Sequence, residues 1–398
     1  MANKRNKRKR DLQRYHERAR VHGVNRLVYW IVRAVLQPAM RVWFRLERQG
    51  RENIPGSGPV ILASNHRSFL DPFVIGVCLR RPVYFVAKQE LFEKRWQAWL
   101  LNALGAFPIK RGESDEEAVA TSKAILARGD AVVIFPEGTR IRTGALGRPK
   151  RGVGRLALET GAPVVPVAVA GSEHTRRGWI IRPAKVKVRS GRPLTFPRVE
   201  AASPSLAARV TERIWPCVEL QWEWLGGLPT LSKAAVIGAG EMGTAMAEVL
   251  GRAGLDVQLA CRTAAQADRI GACTVADVEP AGVDLLVLAT PLSALSGVAA
   301  RMGDAIGERT TVLLPVRGEL GAHAVPAARY LRERTNAAAV ACIGVPAGAR
   351  ELAAGDATVD LACRDSARCD QLADVLEAGG ARVRPVGEPV RSLELRAA

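Results

Sequence analysis

Nowhere in its 398 residues does the chain carry an apolar run near the roughly 20 residues that a membrane-spanning helix requires, so a helical bilayer-crossing protein is excluded. Cysteine is scarce too: there are seven, odd in number and scattered, with no Cys-x-x-Cys pair. Neither a disulfide framework nor a zinc site is indicated, and a reducing compartment fits best. Acidic residues are short in the first 230 positions, which carry a net charge of +22, whereas residues 231–398 carry −3. The second half in turn lacks aromatics. All eight Trp and all eight Phe precede residue 225, and Tyr330 is the one Phe, Tyr or Trp after it. Two differently composed parts are thus joined near residues 226–232, GGLPTLS. With 48% hydrophobic and 24% charged residues the chain is ordinary globular material, long enough for two or three domains.

What is present begins with a basic tail. Residues 1–26 hold ten basic and two acidic side chains and should be solvated and flexible unless an anionic surface organises them. The stretch LVYWIVRAVLQPAMRVWFRL follows, with Arg33, Arg41 and Arg45 interrupting an aromatic-rich apolar run. It suits a helix lying in a bilayer interface, its arginines snorkelling to the headgroups. A helix docked on its own domain is the alternative. A signal peptide is disfavoured, because Arg33 breaks the apolar core and no A-x-A-like site follows. Among its ten basic residues the tail has one aromatic, Tyr15, too few for an interleaved pattern, which argues against nucleic-acid binding. Residues 1–45 are therefore read as a membrane-surface segment.

From residue 58 the pattern alternates strand and helix, with strands at 59–63, 83–87, 131–135 and 163–169 and helices near 72–80, 92–104, 114–128 and 151–160. This predicts an α/β domain over 46–226. A closing helix over 205–225, interrupted by Pro216, offers Trp215, Trp222 and Trp224 to the core or to lipid. After the first strand stands NHRSFLD, which puts Asn65, His66 and Asp71 on the strand-to-helix connection. A His-x4-Asp spacing is common by chance. Asp71 before Pro72 also reads as a helix cap with proline at the first helical position. The functional reading is that Asp71 orients His66, whose imidazole, ordinarily titrating near 6.5, serves as a general base.

Three further blocks follow in order: GAFPIKRG at 105–112, FPEGTR at 135–140 and VVPVAVAG at 164–171. Together the four resemble the glycerolipid acyltransferase superfamily, and most closely the bacterial 1-acylglycerol-3-phosphate acyltransferases, over roughly residues 45–225. The resemblance implies that His66 deprotonates the free hydroxyl of lysophosphatidic acid, which attacks the thioester of acyl-CoA or acyl carrier protein with no acyl-enzyme. Asp71 is its orienting partner, as in serine-hydrolase triads. It further implies an acceptor site lined by Asn65, Arg111, Glu137, Gly138, Thr139 and Arg140, the two arginines taking the phosphate as guanidinium forks. A surface Arg140 paired with Glu137 is the plainer alternative, and Lys110 and Arg142 are either supporting cations or merely solvated. No metal or cofactor is needed for such a transfer. The place implied is peripheral, on the cytoplasmic face of an anionic membrane.

The last part opens with AAVIGAGEMGTAMAEVLGRAGLDVQLACR: a strand, then Gly238-x-Gly240-x-x-Gly243, a helix and a second strand that ends at Arg262. That is the βαβ setting of a dinucleotide fingerprint, and it predicts a Rossmann-like domain over 233–398. Arg262 stands where an acidic residue would hold an NAD ribose, so NADPH is favoured among the NAD(P) nucleotides. Further strands are expected at 284–289, 310–314, 338–343 and 358–362. With PVRGEL and GVPAGARELAAGDATVDLA, this part resembles the N-terminal domain of NAD(P)-dependent glycerol-3-phosphate dehydrogenase. It departs from it at Arg317, where the family has lysine, and at Val345–Ala349. No helical catalytic domain follows before Ala398. The reading is an acyltransferase with a Rossmann-like appendage; the alternative is a bifunctional acyltransferase and glycerol-3-phosphate dehydrogenase.

Overall fold

The computed structural model describes residues 2–110, 116–141, 144–177, 180–318, 320 and 324–386. The chain divides into two α/β units. The first comprises Met1–Arg142 and Leu146–Gly227, the second Leu228–Ala398 with Thr143–Ala145.

In the first unit, helices α1 (Ala2–Val21) and α2 (Arg26–Val42) precede an alternation of elements. These are β1 (Glu47–Gln49), β2 (Val60–Ser64), α3 (Asp71–Cys78), β3 (Val83–Lys88), α4 (Arg95–Ala103), β4 (Ala106–Ile109), α5 (Glu116–Ala127), β5 (Ala131–Ile134), α6 (Gly152–Thr160) and β6 (Val164–Ala170). A short ribbon, β7 (Arg176–Arg177) and β8 (Ile180–Ile181), leads to β9 (Lys187–Ser190) and α7 (Pro204–Trp224). Seven strands form one sheet in the order β1-β9-β6-β2-β5-β3-β4, parallel except where β6 meets β9. All five residues of β2 are buried, as a parallel strand covered on both faces must be. Its side chains alternate: Val60 and Leu62 join a core with Met40, Ile75 and Phe85, whereas Ile61 and Ala63 join one with Phe107, Ile125 and Trp215.

Several expectations change here. Residues 1–45 belong to the first unit, and the tail is helical. His16 Nδ1 and Thr121 Oγ1 lie 2.8 Å apart, and Arg20 pairs with Glu117 at 2.7 Å, tying α1 to α5. Arg33 does not snorkel. It is buried, and its guanidinium donates to the carbonyls of Gly76, Val77 and Leu79 at 2.5, 3.2 and 2.5 Å, satisfying the last turn of α3, where a cation is also favoured by the helix dipole. The opposite face of α2 is left to solvent and is apolar: Leu27, Ile31, Val35 and Val42 are 71%, 56%, 66% and 77% exposed. Pro216 does not interrupt α7, which runs through it for 21 residues. Trp215 and Trp222 enter the core and Trp224 stays outside.

The second unit contains β10 (Lys233–Ile237), α8 (Glu241–Arg252), β11 (Asp256–Cys261), α9 (Ala264–Ile270), β12 (Cys273–Thr274), β13 (Leu285–Leu288) and α10 (Leu295–Met302). It continues with β14 (Thr311–Arg317), α11 (Ala324–Arg334), β15 (Ala339–Val345), α12 (Ala349–Ala354), β16 (Thr358–Cys363), α13 (Ser366–Ala378) and β17 (Arg382–Pro385). Its sheet order is β12-β11-β10-β13-β14-β15-β16-β17, and the β15–β16 pair alone among these neighbours is antiparallel. Ala234 and Val236 face one core, Ala235 and Ile237 the other.

Candidate active site and nucleotide site

Strands β6, β2 and β5 lie side by side, and the residues just past their C-terminal ends meet, where ligands bind in open α/β sheets. After β2 come Asn65 and His66. Asn65 is fully buried, and its amide is spent on the β6 backbone, donating to Val169 O at 2.9 Å and accepting from Val169 N at 2.8 Å. It pins the end of β2 rather than facing a substrate, which corrects its assignment to the acceptor site.

His66 Nδ1 lies 2.8 Å from Asp71 Oδ2. The same oxygen accepts from the amides of Arg67 and Ser68, both at 2.7 Å. Asp71 Oδ1 accepts from Ser172 Oγ at 2.5 Å. Asp71 is fully buried at the first residue of α3, and the helix has no side-chain cap bond. Its carboxylate turns back to close the loop, so the cap reading does not hold. With Nδ1–H donating to Asp71, the lone pair of the ring is left on Nε2. The imidazole stacks on Phe135, centroids 4.2 Å apart and planes 24° apart, and a tenth of its side-chain surface remains exposed.

The block after β5 grips the same loop. Glu137 Oε2 accepts from His66 N at 2.6 Å and Oε1 from Gly147 N at 2.8 Å. Burial pushes the Glu137 carboxyl up to about 7, against the pull of those two amides. Ile141 N donates to His66 O at 2.9 Å, and the Arg67 guanidinium donates to Ile141 O at 2.9 Å while lying 4.3 Å over the Trp222 ring. Gly138 turns at φ +69°, under the stem of Lys150. Thr139, Arg140, Lys110 and Lys150 are exposed. Arg111 and Arg142 lie outside the described residues. Ser172, the stacked Phe135, the buried Arg67 and Lys150 were missed by sequence reasoning. Only the run of blocks at strand ends could have hinted at them.

A family model described as Acyltransferase matches residues 45–170. The chain is 32% identical over 145 residues to the 1-acyl-sn-glycerol-3-phosphate acyltransferase of Bacillus subtilis, covering 36% of this chain and 71% of that one. It is 31% identical over 192 residues to the 1-acyl-sn-glycerol-3-phosphate acyltransferase of Pseudomonas aeruginosa, covering 47% and 70%. The chain belongs to the 1-acyl-sn-glycerol-3-phosphate acyltransferase family. A chloroplastic relative from Brassica napus, BAT2, is 34% identical over 133 residues, and there the match covers 33% of this chain and 38% of the relative. The chain thus spans well under half of that relative's length.

The second unit holds a further candidate site. A family model described as NADP oxidoreductase, coenzyme F420-dependent, matches residues 233–313. The turn after β10 suits a dinucleotide. Gly238 has φ +112°, and a Cβ there would meet Ala289 O at 2.4 Å. A Cβ on Gly243 would sit 1.7 Å from Gly238 O, so α8 packs against the turn only because that position is bare. At Gly240, just before the α8 N-terminus, a Cβ would meet nothing within 4 Å, leaving room for a pyrophosphate against the helix amides. Arg262 is exposed at the end of β11. Arg317 ends β14 and pairs with Glu241 at 2.6 Å. A solved glycerol-3-phosphate dehydrogenase from Coxiella burnetii is 23% identical with a TM-score of 0.35, covering 40% of this chain and 55% of that one.

Proposed function

We propose that the first unit moves an acyl group from an acyl-CoA or acyl carrier protein thioester to the free hydroxyl of 1-acylglycerol 3-phosphate, giving phosphatidic acid. The observation that carries this is the His66–Asp71 pair, with the carboxylate held by three donors besides the imidazole. His66 Nε2 takes the hydroxyl proton as the oxygen attacks the thioester carbon. The ring becomes imidazolium against the fixed Asp71 carboxylate, then returns the proton to the leaving thiolate. Arg140, two residues after Gly138, and Lys150, whose stem lies against Gly138, are exposed cations assigned to the acceptor phosphate, and Arg111 is assigned the same task on its motif. Asn65, Glu137 and Ser172 hold the loop. The purified chain, assayed against lysophosphatidic acid and glycerol 3-phosphate with His66→Ala as control, tests the assignment.

The lipid acceptor places the enzyme on a membrane. Among the described residues no helix is long and apolar enough to cross one. The reading of peripheral attachment is supported by the outward face of α2, apolar on the side that touches no core, within a segment that has no acidic residue from Arg18 to Leu46. A cytoplasmic-face location goes with it. In the second unit Gly238, Gly240, Gly243 and Arg262 would hold an NADP nucleotide, which when bound supplies hydride chemistry. No observation favours such a reaction here, so we assign this unit binding alone.

A further inference from the structure

Resting on the reading that the acceptor is a membrane lipid, we propose that the β7–β8 ribbon seats on the anionic bilayer beside the catalytic loop, a contact separate from α2. The ribbon is rooted at the site. Ser172, which holds Asp71, begins a short turn in which Thr175 Oγ1 donates to Ser172 O at 2.6 Å, and Arg182 N donates to Thr175 O at 2.9 Å. From there β7 and β8 pair antiparallel, Arg176 opposite Ile181, as a two-stranded sheet of their own. Successive strand residues point to opposite faces, yet Ile180 and Ile181 are 64% and 53% exposed. Both faces of β8 are therefore left largely to solvent, each presenting an isoleucine. A free two-stranded ribbon is marginal in water and needs something to cover it.

Charge says what the cover is. From His174 to Val199 there is no acidic residue and there are eight Lys or Arg. The Arg176 guanidinium lies 5.5 Å over the ring of Phe69, an exposed residue three places after His66. Isoleucines in the interface with arginines at headgroup level is the pattern that anionic lipid stabilises. The contact would bring the acceptor's source to the mouth of the site.

The test follows hydrogen exchange at the Ile180 and Ile181 amides of the full chain, alone, with phosphatidylcholine vesicles, with vesicles of phosphatidylcholine and phosphatidylglycerol, and with acyl carrier protein. Exchange should slow about tenfold with the anionic vesicles and little with the others. Ile181→Asp should abolish that slowing and lower about tenfold the ratio of acyl-transfer rates on vesicle-borne over short-chain soluble lysophosphatidic acid, and Ile181→Leu should restore both. Unslowed exchange, slowing by acyl carrier protein in place of vesicles, or an unchanged rate ratio would overturn the proposal. Absence of acyl transfer to any acceptor would overturn the proposed reaction instead, and the exchange data would still decide the bilayer contact.

Discussion

Ser172 donates its hydroxyl to Asp71 Oδ1 at 2.5 Å across 101 residues of sequence, with both side chains fully buried. The other carboxylate oxygen already serves His66 and two amides, so Asp71 is saturated and cannot rotate without stranding a donor.

His66→Ala should lower acyl transfer by on the order of 10² to 10⁴ with the melting temperature nearly unchanged, and residual activity within a few-fold of the parent would remove His66 from the role. Asp71→Asn should be almost as severe and should also cost roughly 1–3 kcal/mol of stability, because an amide NH₂ would face donors. Ser172→Ala should cost about tenfold in kcat with KM unchanged, through a looser Asp71. Steady-state kinetics and thermal melts read all three.

Arg33→Met should lower stability by about 2–4 kcal/mol, since three carbonyls at the end of α3 lose a charged donor, while vesicle binding stays as it was. Ile31→Asp, on the exposed face of the same helix, should do the reverse. Deleting residues 1–45 outright should remove both, because Met40 and the α1 contacts with α5 belong to the fold. Denaturant titration and vesicle sedimentation separate the cases.

Glu137 makes stability depend on pH. Its carboxyl titrates near 4.5 when unfolded and at about 7 when folded, so between those values the folded protein holds a proton that the unfolded chain has released. Stability should fall as pH rises from about 4.5 to about 7, by about 3 kcal/mol in all, and then level off. Glu137→Gln should flatten that slope, as melts across the range would show.

In the second unit, Gly240→Arg enters open space and should leave folding intact while abolishing NADPH binding measured by calorimetry. Gly243→Val meets the Gly238 carbonyl and should prevent folding of this unit. No consumption of NADPH with dihydroxyacetone phosphate is expected from the parent.

Strands β2, β3, β5 and β6 of the first unit and β10, β11 and β13–β16 of the second were legible because apolar runs between Gly, Pro and Asp signals can hardly be anything else in an alternating chain, whereas the short or polar β1, β9, β12 and β17 and the helices after α8 were not read. His66 and Asp71 were legible as a spacing, Gly238, Gly240 and Gly243 as a turn. Arg33 was misread, since an arginine inside an apolar helix looks alike whether its guanidinium goes to headgroups or to the open carbonyls of another helix. Ser172 and Asn65 depend on which strands become neighbours, a matter of tertiary pairing that local pattern does not carry. β4, inside GAFPIKRG, was hidden by its glycine and proline, and α1 by its charge.

The family match ends at residue 170, two positions before the serine that holds Asp71 and well before Trp222, over which Arg67 lies. The stretch that the family model matches is therefore shorter than the stretch that builds the candidate site. A fragment cut where that model match ends would keep His66 and Asp71 and lose Ser172 and Trp222, although the 192-residue likeness to the Pseudomonas aeruginosa relative runs on past that point. Expression of the first unit alone, or its transfer into a chimera, has to run past residue 225 to carry the candidate site with all its supports.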